Sequence, residues 1–254
     1  ICSAEVWGYE VLSRGVPPLE GAPQLFEYAG RVHQLLELEA SCKKSALDTI
    51  ETFDGKGETR FLFNVSPCVF SDPAFLRHLN AEEFERRGVS PRHVVIEITE
   101  QEHIEDPARF QEALKSFRTQ GFSFALDDFG SRHSGLRTLI SSTPDFIKLD
   151  MTLVRNINEE TYKQHLVRSI KQFATSVNAH VIAEGVETWE ELQTLIRMNV
   201  RYIQGFLFSK PKEEATPPPE AVLERAYEHW KSYHNGQSTQ LENISSLVVR
   251  RKTV

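Results

Sequence analysis

The stretch Phe122–Gly130, FSFALDDFG, runs an apolar segment directly into two adjacent acids, Asp127 and Asp128, and then a glycine. An apolar run of this length reads as a strand of a covered sheet. One Asp at its end reads, by itself, as a turn or helix cap. Repetition of the same design lifts the pair above that reading. FLFNVS (61–66) ends near Asn64, and VVIEITE (94–100) near Glu97 and Glu100. FIKLD (146–150) brings Lys148 and Asp150, VIAEGVE (181–187) brings Glu184 and Glu187, and YIQGFLF (202–208) brings Gln204. A polar or charged group inside an apolar strand is costly to bury without a partner. A succession of strands that each carry one therefore suggests that these groups partner one another.

Around these runs the chain alternates between two periods. Strands are expected at 5–14, 60–66, 93–99, 122–128, 145–150, 179–185 and 200–207. Helical periodicity fills 24–50, 107–120, 162–177, 188–198 and 221–234. Thr188 followed by Glu190 and Glu191 marks a helix N-terminus, with a capping hydroxyl and acids in the first turn. Strands alternating with helices imply a parallel sheet with covered faces. A chain of 254 residues matches the roughly 250 residues of one barrel of eight strands and eight helices. A barrel gathers its chemistry at the carboxyl ends of its strands, where this sequence has its polar residues. A doubly wound open sheet, the competing α/β architecture, would gather them at one switch point instead. The expected fold is a TIM-like (β/α)8 barrel over residues 1–234. Because seven strands are counted, its first strand is expected upstream of Ile1. The proline-rich KEEATPPPE (212–220) leads into the last helix, and residues 235–254 read as a linker or a frayed tail.

Composition narrows the function classes. Lys and Arg number 29 and Asp and Glu 36, a net charge of −7 with no long basic run, which argues against a nucleic-acid duplex or an anionic membrane as partner. A small anionic substrate stays compatible with this charge if metal ions supply positive charge locally. No apolar run approaches the roughly 18 residues of a membrane span, and no signal-peptide pattern opens the chain. Cys2, Cys42 and Cys68 are scattered without CxxC spacing and read as reduced thiols of a cytoplasmic protein. No HxxxH or HExxH pattern occurs, so zinc is not expected.

Taken in order, the motifs resemble the EAL-domain family of cyclic di-GMP phosphodiesterases, from Ile1 to about Pro211. GYEVLSR (8–14) stands for the family's YEALLR. It is followed by NVSP (64–67), EITE (97–100), DDFG (127–130), IKLD (147–150), AEGVE (183–187) and QGFLFSKP (204–211). The resemblance implies hydrolysis of cyclic di-GMP to linear pGpG at a barrel mouth holding two Mg²⁺ or Mn²⁺ ions, hard cations suited to carboxylate and amide oxygens. Glu10, Asn64, Glu97 and Asp127 would hold one ion. Asp127 would bridge to a second, held with Asp128 and Glu184. Lys148 would position water or stabilise charge developing on phosphate, with Asp150 orienting it. Glu184 is also the family's candidate general base, and the sequence leaves both roles open. Gln204 would hold water or ligand, and Arg14 would contact substrate phosphate. Glu100 and Glu187 are expected to anchor loops, and homodimerisation is a further implication.

Two departures from the family pattern stand out. Val11 replaces the signature alanine, a change that should alter packing more than chemistry. In GSRHSGL (130–136), which replaces the usual GTGYSSL, Arg132 and His133 stand where glycine and an aromatic are common. This loop keeps a second function open, that of a cyclic di-GMP receptor with little hydrolysis. A purely structural domain is a third reading, opposed by the retained acids. The terminal SSLVVRRKTV (245–254) resembles the entry into a CBS-type ligand-sensing domain, which would make the chain part of a multidomain regulator, although an ordinary basic strand would look similar.

Overall fold

The computed structural model describes residues 4–70, 72–76, 79–99, 106–131, 139, 142–234 and 242–250. Cys2, Glu100, Arg132 and His133 lie outside them. The described chain divides into two compact units. The first gathers Ile1–Gly8, Ala125–Lys210 and Thr216–Ser245, and the second Tyr9–Phe124, Pro211–Ala215 and Ser246–Val254.

The second unit opens with most of β1 (Glu5–Arg14), followed by α1 (Ala22–Arg31), α2 (Leu35–Glu51) and β2 (Arg60–Asn64). The short helices α3 (Pro67–Phe70), α4 (Pro73–Leu76) and α5 (Ala81–Arg86) precede β3 (Val94–Thr99) and α6 (Pro107–Thr119). β2 and β3 pair in parallel from Phe61↔Val94 to Asn64↔Glu97. The core of this unit is aromatic. Phe63 meets Phe84 edge to face, Phe84 meets Phe122, and Phe117 stacks on Phe70 at 5.0 Å. Rings in these geometries add about 0.5–1.5 kcal/mol per pair beyond the area they bury.

The span 24–50, expected as one helical segment, is two helices. His33 takes φ +57 and the Gln34 N–H donates to the Ala29 carbonyl at 2.8 Å. This is the left-handed closure that usually falls to glycine. With histidine in that place, the sequence carries no punctuation mark at the break.

In the first unit β4 (Ser123–Phe129, from Ala125 on) pairs in parallel with β5 (Phe146–Leu149). Next come α7 (Met151–Val154), α8 (Thr161–Ser176), β6 (His180–Ala183), α9 (Trp189–Arg197), β7 (Tyr202–Gln204) and α10 (Glu220–His234). β5, β6 and β7 pair in parallel in sequence order. Residues 242–250, within the stretch read as a linker or tail, form a further strand, β8 (Glu242–Arg250), parallel to β7 with Gln204↔Ile244. Leu247, Val248 and Val249 supply the apolar and β-branched character that favours a strand there. Ile147, Leu149, Val181, Ala183 and Ile203 are buried, and Val167, Leu192, Leu195 and Trp230 from the helices pack in the same core. At the amino ends of these strands Trp7, Phe146, His180 and Tyr202 form a ring cluster with centroids 5.0 to 5.7 Å apart. The opposite, carboxyl ends are left to the polar residues.

Candidate metal centre

The strand ends of the first unit place five of the singled-out residues. β4 carries one residue more than β5 between paired positions: Leu126 faces Ile147 and Phe129 faces Leu149. That bulge contains Asp127 and Asp128, and Asp128 sits at φ +57. A bulge re-aims side chains at a strand end, which lets two consecutive acids serve one site although strand alternation would send them to opposite faces. Asp127 is buried and its Oδ1 accepts the Asp128 N–H at 2.8 Å.

Lys148, on β5, is 1% exposed, and its Nζ lies 3.0 Å from Asp127 Oδ1 and 2.9 Å from Glu184 Oε1. A buried ammonium between two carboxylates is the arrangement that offsets the cost of removing all three from water. Glu184 follows β6 directly, and its N–H donates to the Leu149 carbonyl at 3.2 Å, extending the β5–β6 ladder by one bond. Gly185 then turns the chain at φ +69. A Cβ there would fall 2.5 Å from the Met151 Cβ, so only glycine lets this turn pass α7. Gln204 closes β7, and its carbonyl accepts the Val186 N–H at 3.1 Å. Asp150 caps α7, its Oδ1 accepting from both the N–H and the hydroxyl of Thr152.

Carboxylate oxygens of Asp127, Asp128 and Glu184 all lie within 4.8 Å of one another, close enough to ligate one ion. Hard anionic oxygens fit Mg²⁺, Mn²⁺ or Ca²⁺ and do not favour softer metals. In the second unit Glu10 and Glu97 are buried acids on β1 and β3. Asn64 joins them: its Nδ2 donates to Glu10 Oε1 at 3.1 Å, and it is the register partner of Glu97. Two buried acids and an amide, with Asn64 and Glu97 held in register and Asn64 bonded to Glu10, form a second set of hard oxygen donors. Arg14 ends β1 half-buried, with Nη1 donating to the Ser13 carbonyl at 2.8 Å.

The Glu187 carboxylate pairs with Arg155 Nη1 at 2.6 Å, tying the turn after β6 to the turn after α7. Neither Arg155 nor the double ion pair of Lys148 was legible in the sequence. Arg155 lies in no motif, and the resemblance gave Lys148 a different neighbour, Asp150. Glu191 answers the capping signal at Thr188 with a full capping box, and it also accepts N–H groups from Glu187 and Asn156. Burial alone would raise its pKa. Those three backbone donors outweigh burial and hold it below the ordinary carboxylate range.

The EAL domain family model matches residues 1–211. The cyclic di-GMP phosphodiesterase PdeA of Borreliella burgdorferi is 31% identical over 193 residues, 74% of this chain and 28% of that protein. The Bacillus subtilis YkuI protein, solved with cyclic di-GMP and calcium, aligns over 92% of this chain and 59% of its own at 26% identity and a TM-score of 0.76. The BlrP1 protein of Klebsiella pneumoniae, in a calcium and cyclic di-GMP complex, aligns over 76% of this chain and 49% of its own at 33% identity and a TM-score of 0.68. The chain spans less than half the length of the curated relatives it most resembles. With the acids, the amide and the lysine standing on successive strand ends and the match running from residue 1 to residue 211, the chain belongs to the EAL-domain family and has its TIM-like (β/α)8 fold.

Proposed function

We propose that the chain is a metal-dependent phosphodiesterase that hydrolyses cyclic di-GMP to linear pGpG. The observation that carries this reading is Lys148, held between Asp127 and Glu184 with Asp128 beside them. An ammonium held there is placed to balance charge that develops on a phosphoryl oxygen.

In this reading Asp127, Asp128 and Glu184 would hold one divalent ion, Mg²⁺ or Mn²⁺, and Glu10, Asn64 and Glu97 would offer oxygen donors to a second. When bound, such a pair polarises the phosphodiester and lowers the pKa of water. Arg14 offers a fork of donors to a phosphate oxygen. Glu184 takes a proton from the attacking water. An oxygen–phosphorus bond forms, the bond to the ribose 3′ oxygen breaks, that oxygen takes a proton from solvent to become a hydroxyl, and the product keeps a 5′ phosphate. Lys148 balances the charge that gathers on the phosphoryl oxygens, and Gln204 steadies water or ligand at the rim. Glu187 and Glu100 anchor neighbouring loops.

The same reading places the protein in the cytoplasm, where a cyclic dinucleotide messenger acts. Among the described residues no helix is long and apolar enough to cross a membrane. It also pairs two copies of the chain through α8, along which Tyr162, Leu166 and Phe173 stand exposed at helical spacing, with Val177 exposed just after it. In the same reading the catalytic barrel, residues 1–234 with β8 added beside β7, is coupled to a regulatory domain of the same protein.

Chromatography of cyclic di-GMP incubated with the protein and Mg²⁺ or Mn²⁺, beside Glu10→Ala and a binding titration, tests the reading. Product from wild type and none from the variant is the expected result. Tight binding without product moves the assignment to a cyclic di-GMP receptor, the second reading favoured by Arg132 and His133 in the loop after the Asp pair.

A further inference from the structure

A cavity of about 90 Å³ lies in the second unit between the carboxyl ends of β1 and β2 and the helix α2. Val11, Phe26, Phe63 and Phe75 form much of its wall, and Lys43 of α2 also lines it. Lys43 is 7% exposed, and its Nζ has no hydrogen-bond partner among the described residues. The ring of Phe75 faces it, with the centroid 5.7 Å from Nζ. The charged groups around it are committed elsewhere. Glu39, which reaches the same cavity, accepts the Ser66 N–H, and Glu83 pairs with Arg86 and Arg87. Burial pushes the amine down to about 7.

A buried ammonium without an acceptor is among the least favourable groups a core can hold. Water alone is a poor remedy, because a cavity walled mainly by apolar side chains tends to stay dry. The missing occupant therefore has an anionic acceptor at one end and an apolar body at the other. The volume equals the share of about three waters in the liquid, room for roughly five heavy atoms.

We propose that this cavity is a binding site for a small aliphatic monocarboxylate, with its carboxylate on Lys43 and its alkyl body against Phe26, Phe63 and Phe75. Asn64 also lines the cavity, while none of the metal-ligating carboxylates does, and the proposal does not depend on whether the chain hydrolyses cyclic di-GMP.

Propionate, with five heavy atoms, is the probe, and propionamide is its uncharged isostere. Saturation-transfer NMR or calorimetry on the full chain, free of added metal, should give saturable propionate binding. Propionamide should bind at least about tenfold more weakly. Lys43→Met should lose propionate by a similar factor, and Lys43→Arg should keep part of it. Equal affinity for the two probes, unchanged propionate binding in Lys43→Met, or no saturable signal from wild type would each overturn the proposal. Should Lys43→Met fail to fold, the comparison of probes on wild type still decides.

Discussion

Lys148 and Lys43 are both buried lysines, and the first unit has given one of them everything the second withholds from the other. Lys148 has two carboxylates within 3.0 Å. Lys43 has a phenylalanine ring. The same side chain is thus a doubly ion-paired ammonium in one unit and an amine pushed toward neutrality in the other, and the difference lies in which acids are aimed at it. Strand ends at a barrel mouth converge, so β4, β5 and β6 bring carboxylates to Lys148. The face of α2 turned onto the aromatic core brings one acid, Glu39, whose carboxylate accepts the Ser66 N–H instead.

The largest expected effect comes from removing the paired lysine. Lys148→Met should cut hydrolysis of cyclic di-GMP by about 10²–10⁴-fold, the range for a positioned acid–base or charge-stabilising group. It should also destabilise the metal-free protein by about 3–5 kcal/mol, because Asp127 and Glu184 are left facing each other. Turnover assays and urea midpoints check the two halves. Added Mg²⁺ should restore part of the stability, since a cation replaces the lost one. A midpoint unchanged by the substitution would dissolve the contrast with Lys43.

Lys43→Met is expected to have the opposite sign. Its amine titrates near 7 in the folded protein against an ordinary 10.5 when unfolded. Between those values the unfolded chain binds more protons, so wild-type stability rises with pH across that window. The full cost of burying the charge is present below about pH 7 and fades toward pH 10.5. Without added carboxylate, methionine should therefore raise the urea midpoint by a few kcal/mol equivalent at about pH 6, with the gain shrinking by about pH 9. A constant gain at both pH values would mean that packing, not charge, sets it.

The contrast also explains what was legible in the sequence. β1 was read to its exact bounds, and β2 to β7 to within a few residues, because apolar runs ending in an acid, amide or lysine announce themselves. Asp127, Lys148 and Glu184 were visible for the same reason. The bulge that brings Asp127 and Asp128 together, and the choice of Asp127 and Glu184 as partners of Lys148, were not, because register belongs to pairs of strands and no single strand records it. Lys43 lies in LEASCKKSALD next to Lys44, a residue that pairs with Asp48 in solvent. Only the angular position of each around α2 separates the buried lysine from the exposed one. The break at His33 and the strand at 242–250 lacked the glycine and the flanking motif that would have marked them.

The acids of the first unit offer a smaller version of the same comparison. Glu191 is buried with three backbone donors, and Glu191→Gln should cost about 1–3 kcal/mol, the range for a buried charged acceptor that loses part of its hydrogen bonding. Its folded pKa lies below the ordinary 4.5. Its contribution is therefore complete above that value and is lost as pH falls through the lowered one. Thermal unfolding of wild type and variant should differ at neutral pH and converge in acid.

Glu187 sits four residues before Glu191 and makes its pair in solvent. The hydrogen bond from Arg155 holds the Glu187 carboxyl below the usual range and raises the Arg155 guanidinium. With Glu187 41% and Arg155 33% exposed at the side chain, water and salt screen most of the attraction. Glu187→Gln should leave the unfolding midpoint within experimental error at physiological salt. Its consequence should appear in the turns it ties together. Amide exchange should quicken at Arg155 and Val186 while β5 and β6 stay protected, because an ion pair between two turns restrains their local opening without carrying the fold. Faster exchange throughout β6 would instead make Glu187 a structural partner of the buried lysine's strand, and the distinction between buried and exposed pairs in this unit would narrow.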